Sequence, residues 1–206
     1  MVQELIRSLS LVSARSFLTA EDGVENICDY DDNPTSLFLL IEEKAWNDVK
    51  KRADLFPEEA KTYVMRHDKE ASGGSIGHNP ALVKWRLLPI HLAILYSAPP
   101  FVIQALLTAY RRGAECYDDE RNLPIHLAVK KHANEEIMNL LLAAHPKCID
   151  DENGQRLTPL AMAQRSTSPH KKYYLKALRR GPIYKTVTAN ILDELLCGVQ
   201  IPGINN

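Results

Sequence analysis

Residues 88–94 have the sequence Leu-Pro-Ile-His-Leu-Ala-Ile, and residues 123–129 have the sequence Leu-Pro-Ile-His-Leu-Ala-Val. The two segments are 35 residues apart, and a less similar segment, Thr-Pro-Leu-Ala-Met-Ala at residues 158–163, follows after 35 more. A fixed period of this length is typical of proteins built from stacked structural repeats. The sequence therefore predicts that repeated units form the basis of the fold.

Each repeat carries the signals of two helices. Pro89 and Pro124 stand where a first helix can begin, because the missing N–H of proline costs nothing in the first turn. A break follows, after which Pro100 is predicted to be the first residue of a second helix and Asn134 the N-cap of its counterpart. Each unit is therefore predicted to run helix, tight turn, helix and polar loop.

The repeated segment resembles the central motif of the ankyrin repeat, Thr-Pro-Leu-His-x-Ala. Leu88 and Leu123 stand at the threonine position, and this Leu-Pro-Ile-His-Leu-Ala form is similar to a variant seen in ankyrin proteins of single-celled algae. In the family that threonine bonds the motif histidine, so the leucines leave the partner of His91 and His126 open. The resemblance implies an all-α fold, an ankyrin-repeat solenoid of about four helix–turn–helix repeats with capping terminal repeats and helical or disordered tails.

The rest of the chain is divided around these repeats. The acidic stretch at residues 20–36 is predicted to be a loop, Asn33 to cap the helix that follows, and residues 57–65 to add a helical turn or two. The predicted segments are residues 1–33 (amphipathic segment and acidic connector), 34–181 (ankyrin-repeat domain), 34–56 (degenerate first repeat), 57–84 (insertion with a glycine-rich loop), 85–118 and 119–153 (two repeats), 154–181 (C-terminal capping repeat) and 182–206 (tail with a short amphipathic helix).

Composition limits the classes of partner and compartment. The net charge is −1, so no overall field favours nucleic acid or an anionic membrane. The four cysteines occur singly, which favours a reducing, intracellular compartment, either cytoplasm or nucleus. No apolar run approaches the roughly 20 residues that a transmembrane helix needs.

Residues 1–20 are rich in arginine and serine like an organelle transit peptide, but Glu4 favours the alternative, an amphipathic helix that packs on the first repeat or on a partner.

No catalytic, cofactor-binding or metal-binding pattern is found, and we predict a non-enzymatic protein. His91 and His126 are one repeat apart, roughly 10 Å in a stack, which is too far for two ligands of one zinc ion. The acidic loops at residues 118–120 and 150–154 lack the spacing of a calcium-binding EF-hand and are predicted to be solvated fingers that face a partner. A structural role is predicted for Pro89, His91, Pro124, His126 and Pro159.

Loop tips and the exposed sides of first helices form the expected binding face of a repeat stack. Arg86, Arg121 and Arg156 recur at the 35-residue period, and their guanidinium groups could form a ladder that faces acids of a partner. The alternative is that they pair with acids of the neighbouring loops. The candidate partner-binding residues are Trp85, Arg86, Tyr96, Tyr117, Asp118, Asp119, Arg121, Lys130, Lys131, His132, Asp151 and Arg156.

The sequence thus predicts a scaffold that binds a protein partner on its concave face and loop tips. One alternative is a small stable subunit of a larger assembly, held by its tails; the oligomeric state would be a monomer or a subunit of a hetero-complex. Another alternative is nucleic-acid or phosphate binding by a basic C-terminal helix, which the near-neutral charge disfavours. The residues of that helix are Lys171, Lys172, Tyr173, Tyr174, Lys176, Arg179 and Arg180.

Overall fold

The computed structural model of the chain describes residues 26–67 and 83–179. The predictions for the transit-peptide segment, the glycine-rich loop and the C-terminal tail lie outside the described residues. In chain order the elements are β1 (Asn26–Asp29), α1 (Ser36–Glu42), α2 (Trp46–Leu55), α3 (Pro57–Ala60), β2 (Thr62–His67), β3 (Val83–Leu87), α4 (Pro89–Leu95), α5 (Pro100–Ala109), α6 (Pro124–Lys130), α7 (Glu135–Ala144), α8 (Pro159–Arg165) and α9 (Lys171–Arg179).

The helices form four pairs, each with a short first helix and a longer second helix. The first helices α1, α4, α6 and α8 have 7 residues each, and α2, α5 and α7 have 10. Helix α5 begins at Pro100, and the Asn134 side chain accepts a hydrogen bond from the N–H of Ile137 at the start of α7. The predictions for Pro100 and Asn134 are therefore confirmed.

Neighbouring pairs contact each other in series. Helix α1 contacts α4, α4 contacts α6 and α6 contacts α8, while α2, α5, α7 and α9 form a second row in the same order. Ala93 and Ala128 are fully buried between them, and their small side chains allow this close approach. The turns of the two central pairs each hold a residue with left-handed backbone, Ser97 and His132, both at φ 57°.

The prediction of an all-α helical solenoid is wrong, because the chain also forms a three-stranded mixed sheet. Strand β2 lies in the centre, parallel to β1 with Asn26 opposite Thr62, and antiparallel to β3 with Met65 opposite Arg86. Thr62, Tyr63 and Val64 bury their side chains against the helices. These β-branched and aromatic residues fit a pleated, half-buried surface better than a helix.

Two strands lie in segments for which the sequence predicted none. The helical turn predicted within residues 57–65 is present at Pro57–Ala60, but β2 begins at Thr62, and the predicted acidic loop contains β1. The cap of α1 is Thr35 and not Asn33, since the Thr35 hydroxyl accepts from the N–H of Phe38 at 3.3 Å. The buried Glu59 carboxylate adds a second acceptor at this helix end, 2.7 Å from the N–H of Leu37.

Candidate partner-binding groove

An open groove of about 480 Å³ lies where the sheet meets the first helices, and we call it the front groove. It is lined by side chains of β2, β3, α1, α4 and α6, by Tyr30 directly after β1, and by the loop at residues 118–120. The predicted residues that line it are Trp85, Tyr96, Asp118, Asp119 and Lys130. Lining residues that the sequence analysis did not select include Tyr30, Phe38, Glu42, Arg66, Lys84 and Leu95.

An aromatic cluster forms the sheet side of the front groove. The ring of Trp85 is stacked on Phe38, with centroids 5.9 Å apart and planes 5° apart, and meets Tyr30 edge-on at 5.2 Å. Phe38 is fully buried, so it anchors the half-buried indole ring to the core. Tyr96, the C-cap residue of α4, is 37% exposed on the same groove. The groove therefore presents aromatic side chains whose conformations are fixed by packing.

Tyr30 and Glu42 form a polar contact inside the front groove. The Tyr30 hydroxyl lies 3.2 Å from Oε1 and 3.1 Å from Oε2 of Glu42, and it donates to the carboxylate. Burial, and then the hydrogen bond to Glu42, raise the pKa of Tyr30 above its usual value, so the phenol keeps its proton. Neither residue is among the candidates predicted from the sequence, because Tyr30 lies in a stretch predicted to be a loop and Glu42 meets it only through tertiary structure. Its position depends on β1 pairing with β2.

The acidic loop at the end of the groove is a structured turn rather than a solvated finger. Asp118 is buried, and its Oδ1 accepts from the N–H of Asn122 at 2.6 Å while its Oδ2 accepts from the side-chain amide of Asn122 at 3.1 Å. Oδ1 of Asp119 accepts from the N–H of Arg86 at 3.1 Å, which joins the loop to β3. Glu120 is exposed and lies 3.5 Å from the ammonium of Lys130. Asp118 is thus occupied by its own turn.

The next loop stacks directly on this turn. The Asn153 side chain donates to Oδ1 of Asn122 at 3.0 Å, and the N–H of Gly154 donates to the carbonyl of Glu120 at 3.2 Å. A Cβ added at Gly154 would lie 2.4 Å from that carbonyl oxygen, so only glycine fits here. The stacking fixes the position of the acidic turn relative to the helices that follow.

The three periodic arginines do not occupy equivalent positions. Arg86 lies within β3, whereas Arg121 and Arg156 lie in turns and have left-handed backbone, at φ 58° and 57°. The guanidinium carbon of Arg86 lies 4.6 Å from the ring centre of Tyr63, and that of Arg121 lies 5.8 Å from that of Tyr117. Two of the three cations therefore lie on tyrosine rings of this chain, and neither Arg86 nor Arg121 lines the front groove.

The remaining candidates lie away from the front groove. Lys131 and His132 line a smaller groove of about 210 Å³ beside the turn at Pro99 and Pro100. The Asp151 carboxylate lies 3.2 Å from Nε2 of His145. Arg156 is exposed in its turn. The structure thus places five of the candidates together and distributes the others over several loops.

His91 and His126 are fully buried at the starts of α4 and α6. Nδ1 of His91 accepts from the N–H of Leu88 at 3.1 Å, so Nε2 carries the proton and donates to the carbonyl of Cys116 at 3.1 Å. Nδ1 of His126 accepts in the same way from Leu123, at 3.1 Å. Its buried Nε2 has no hydrogen-bond partner among the described residues. The partner left open by the sequence is therefore the backbone N–H of the leucine.

Burial controls the protonation of both imidazoles. Removal from water lowers the pKa of His91 to about 4, against a smaller opposing effect of the Cys116 carbonyl. The pKa of His126 is also lowered by burial, although the nearby carbonyls of Asp151 and Leu157 act in the opposite direction. Both rings are neutral near pH 7, which suits their role as hydrogen-bond acceptors.

The basic helix α9 offers little aromatic surface for stacking on bases. Tyr174 is fully buried, and burial raises the pKa of its hydroxyl. The Tyr173 hydroxyl hydrogen-bonds to the side chain of Asn139 on α7. The lysines of the helix therefore remain without the tyrosine platform that the nucleic-acid hypothesis assumed.

Within residues 26–67 and 83–179, no group of three or more His, Cys, Asp or Glu side chains is placed to hold a metal ion. In the same part of the chain, no helix combines the length and apolar character that crossing a membrane requires. The sequence matches none of the protein-family profiles and none of the curated proteins with which it was compared.

Proposed function

We propose that this chain is a non-enzymatic interaction module that binds a partner protein in the front groove. The observation that carries the proposal is that Trp85, Tyr96 and three charged candidates line one open groove. Rigid aromatic side chains surrounded by charged ones are typical of the residues that dominate protein interfaces. The resemblance of residues 88–94 and 123–129 to the ankyrin motif supports the same role.

The proposal is tested by comparing two exposed aromatic residues of one helix pair, one that lines the groove and one that does not. Tyr96, 37% exposed, lines the groove, and Phe101, 40% exposed, lies on α5 outside it. Partners captured from native extract by the intact chain would be identified, purified and titrated against Tyr96→Ala and Phe101→Ala. Loss of affinity of about tenfold is expected for Tyr96→Ala alone.

Thermal unfolding of both variants serves as the control for folding. If a purified partner bound Tyr96→Ala as tightly as the unchanged chain, the groove would not be the binding surface. If Phe101→Ala alone lost affinity, the binding surface would lie on the second helices.

The proposed module would act inside the cell, in the cytoplasm or the nucleus. The singly spaced cysteines support this location. A fluorescent fusion of the full chain, imaged in living cells, tests it; accumulation in an organelle would contradict it.

A further inference from the structure

We propose that the front groove receives a lysine or arginine side chain from a basic segment of the partner. The cationic head would lie against the Glu42 carboxylate, and the alkyl stem would lie against the side chains of Trp85 and Tyr96. This inference rests on the proposed function and adds the chemistry of the partner.

Glu42 is the groove carboxylate with remaining capacity to bind a cation. The Tyr30 hydroxyl contacts its two oxygens, yet a carboxylate has about four acceptor positions. No described lysine, arginine or histidine lies within ion-pair distance of Glu42. Asp118 is buried and accepts two hydrogen bonds from Asn122, and Glu120 already pairs with Lys130. Asp119 accepts the N–H of Arg86 and is exposed, so a charge pair there is screened more by water than one at the half-buried Glu42.

The groove's own cations are mostly neutralised. The Arg66 guanidinium lies 3.3 Å from the Asp31 carboxylate, and Lys130 pairs with Glu120. Lys84 and Lys44, whose ammonium lies near the Tyr96 ring, have no ion pair with a described residue, but both are exposed, and a solvated lysine contributes little to binding an opposite charge. The half-buried Glu42 lies beside aromatic rings, where a charge pair is screened less by water. The charge distribution therefore favours a basic partner over an acidic one.

The aromatic walls suit the same ligand. Positive groups of this chain already lie near tyrosine rings on this side, with Arg66 5.2 Å from the Tyr30 ring centre and Lys44 5.8 Å from that of Tyr96. Ring faces attract cations through their quadrupole. Leu92 and Leu95 add apolar surface to the floor of the groove, which an alkyl stem can cover.

The experiment uses the full chain and two matched pentapeptides, acetylated and amidated, with alternating alanine and either lysine or glutamate. Binding is followed by NMR through the indole N–H signal of Trp85, assigned with Trp46→Phe. The lysine peptide is expected to shift this signal with a Kd on the order of 1 mM. Glu42→Gln, which keeps an oxygen acceptor for Tyr30, is expected to weaken binding about tenfold.

The control is Glu43→Gln, which removes an exposed charge at the neighbouring position and is expected to change affinity less than twofold. Three results would overturn the inference: no shift with the lysine peptide, tighter binding of the glutamate peptide, or an unchanged affinity in Glu42→Gln. If the affinity of a partner protein fell in Tyr96→Ala but not in Glu42→Gln, the proposed interaction function would stand, and the inference that the groove receives a basic side chain would be wrong.

Discussion

The two central helix pairs and the two outer pairs cap their first helices in opposite ways. In the central pairs, His91 and His126 point back and accept the N–H of the leucine that precedes the helix. In the outer pairs, Thr35 and Thr158 point forward, and their hydroxyls accept the N–H three residues later, at 3.3 and 3.2 Å. Both arrangements give a hydrogen-bond acceptor to one backbone N–H that has no partner within the helix.

The difference matters because, of these four caps, His91 alone also bonds a neighbouring segment. Nε2 of His91 bonds the carbonyl of Cys116, 25 residues away, whereas the threonine bonds stay within one helix turn. Leucine at the motif threonine position fills the core, since Leu88 and Leu123 are fully buried, and leaves the imidazole to do the capping. Leucine at this position therefore does not leave the helix start without a cap, because a histidine cap replaces the threonine cap.

The largest effect is expected for the histidine cap itself. His91→Ala should lower the free energy of unfolding by about 3 kcal/mol, because it opens a cavity and leaves the Leu88 N–H and the Cys116 carbonyl without partners. His126→Ala should cost about 1 kcal/mol less, since its Nε2 makes no hydrogen bond with a described residue. Urea unfolding at pH 7.5 measures both variants, and equal losses would remove the distinction between the two histidines.

The second effect is a loss of stability in acid. Because the pKa of His91 is lowered to about 4 in the folded chain, the unfolded chain binds more protons below pH 6.5. This contribution to stability is present above pH 6.5, falls by about 2 kcal/mol by pH 5, and is lost progressively down to pH 4. His126 shifts in the same direction. Urea unfolding at pH 7.5 and at pH 5 measures the slope of the free energy of unfolding against pH.

The matched control for this slope is the double variant Leu88→Thr with His91→Ala, which copies the Thr158 and Ala161 arrangement of α8. It should retain the helix cap and reduce the loss between pH 7.5 and pH 5. An unchanged slope in the double variant would show that other groups dominate the acid response.

A smaller effect is expected at the outer caps. Thr35→Ala and Thr158→Ala should each destabilise the chain by about 1 kcal/mol, the usual value of an N-cap hydroxyl. Thr158→Ser keeps the hydroxyl and should cost only a few tenths of that amount. Thermal unfolding compares the three variants. A loss above about 2 kcal/mol for Thr158→Ala would mean that this cap, too, contributes beyond its own helix.

The smallest effect concerns the turns that precede one central and one outer helix. Arg121→Gly and Arg156→Gly should each stabilise the chain by about 0.5 kcal/mol, since glycine adopts the left-handed backbone without steric cost but gains freedom when unfolded. Arg86→Gly should destabilise by roughly 1 kcal/mol, because Arg86 lies in a strand. Urea unfolding measures the change in the free energy of unfolding for each variant. Opposite signs of this change would show that the turn positions differ from the strand position, and matching signs would show that the positions are equivalent.

The period of 35 residues could place Pro100 and Asn134 at the starts of their helices, because caps and prolines act locally. It could not reveal the sheet. The segment Asn26–Asp29 has little strand propensity, and its partner β2 is distant in sequence. No local sequence pattern therefore predicts the pairing. The signal that was visible and overlooked is Thr-Tyr-Val at residues 62–64.

The candidate site, like the fold, was predictable from the sequence only in part. Trp85 could be chosen because it stands next to Arg86, and it lines the groove with Tyr96, although it is half-buried in β3 and not exposed at a loop tip. Asp118 could not be recognised as buried, since an acidic loop and an aspartate turn look alike without the Asn122 contact. Tyr30 and Glu42 come together only through tertiary structure, and equal spacing wrongly suggested that Arg86 matches Arg121.

The pairing of β1 with β2 also sets an order of assembly. The two helices of one pair are close in the chain, whereas β1 pairs with β2 across 36 residues, Asn26 opposite Thr62, and that loop-closure entropy has to be met before the contacts form. Tyr30 and Trp85, which the strands carry, should therefore reach their native positions after the helices. In refolding, the surface proposed to bind a partner would form after the individual helix pairs, so a newly made chain would be helical before it could bind.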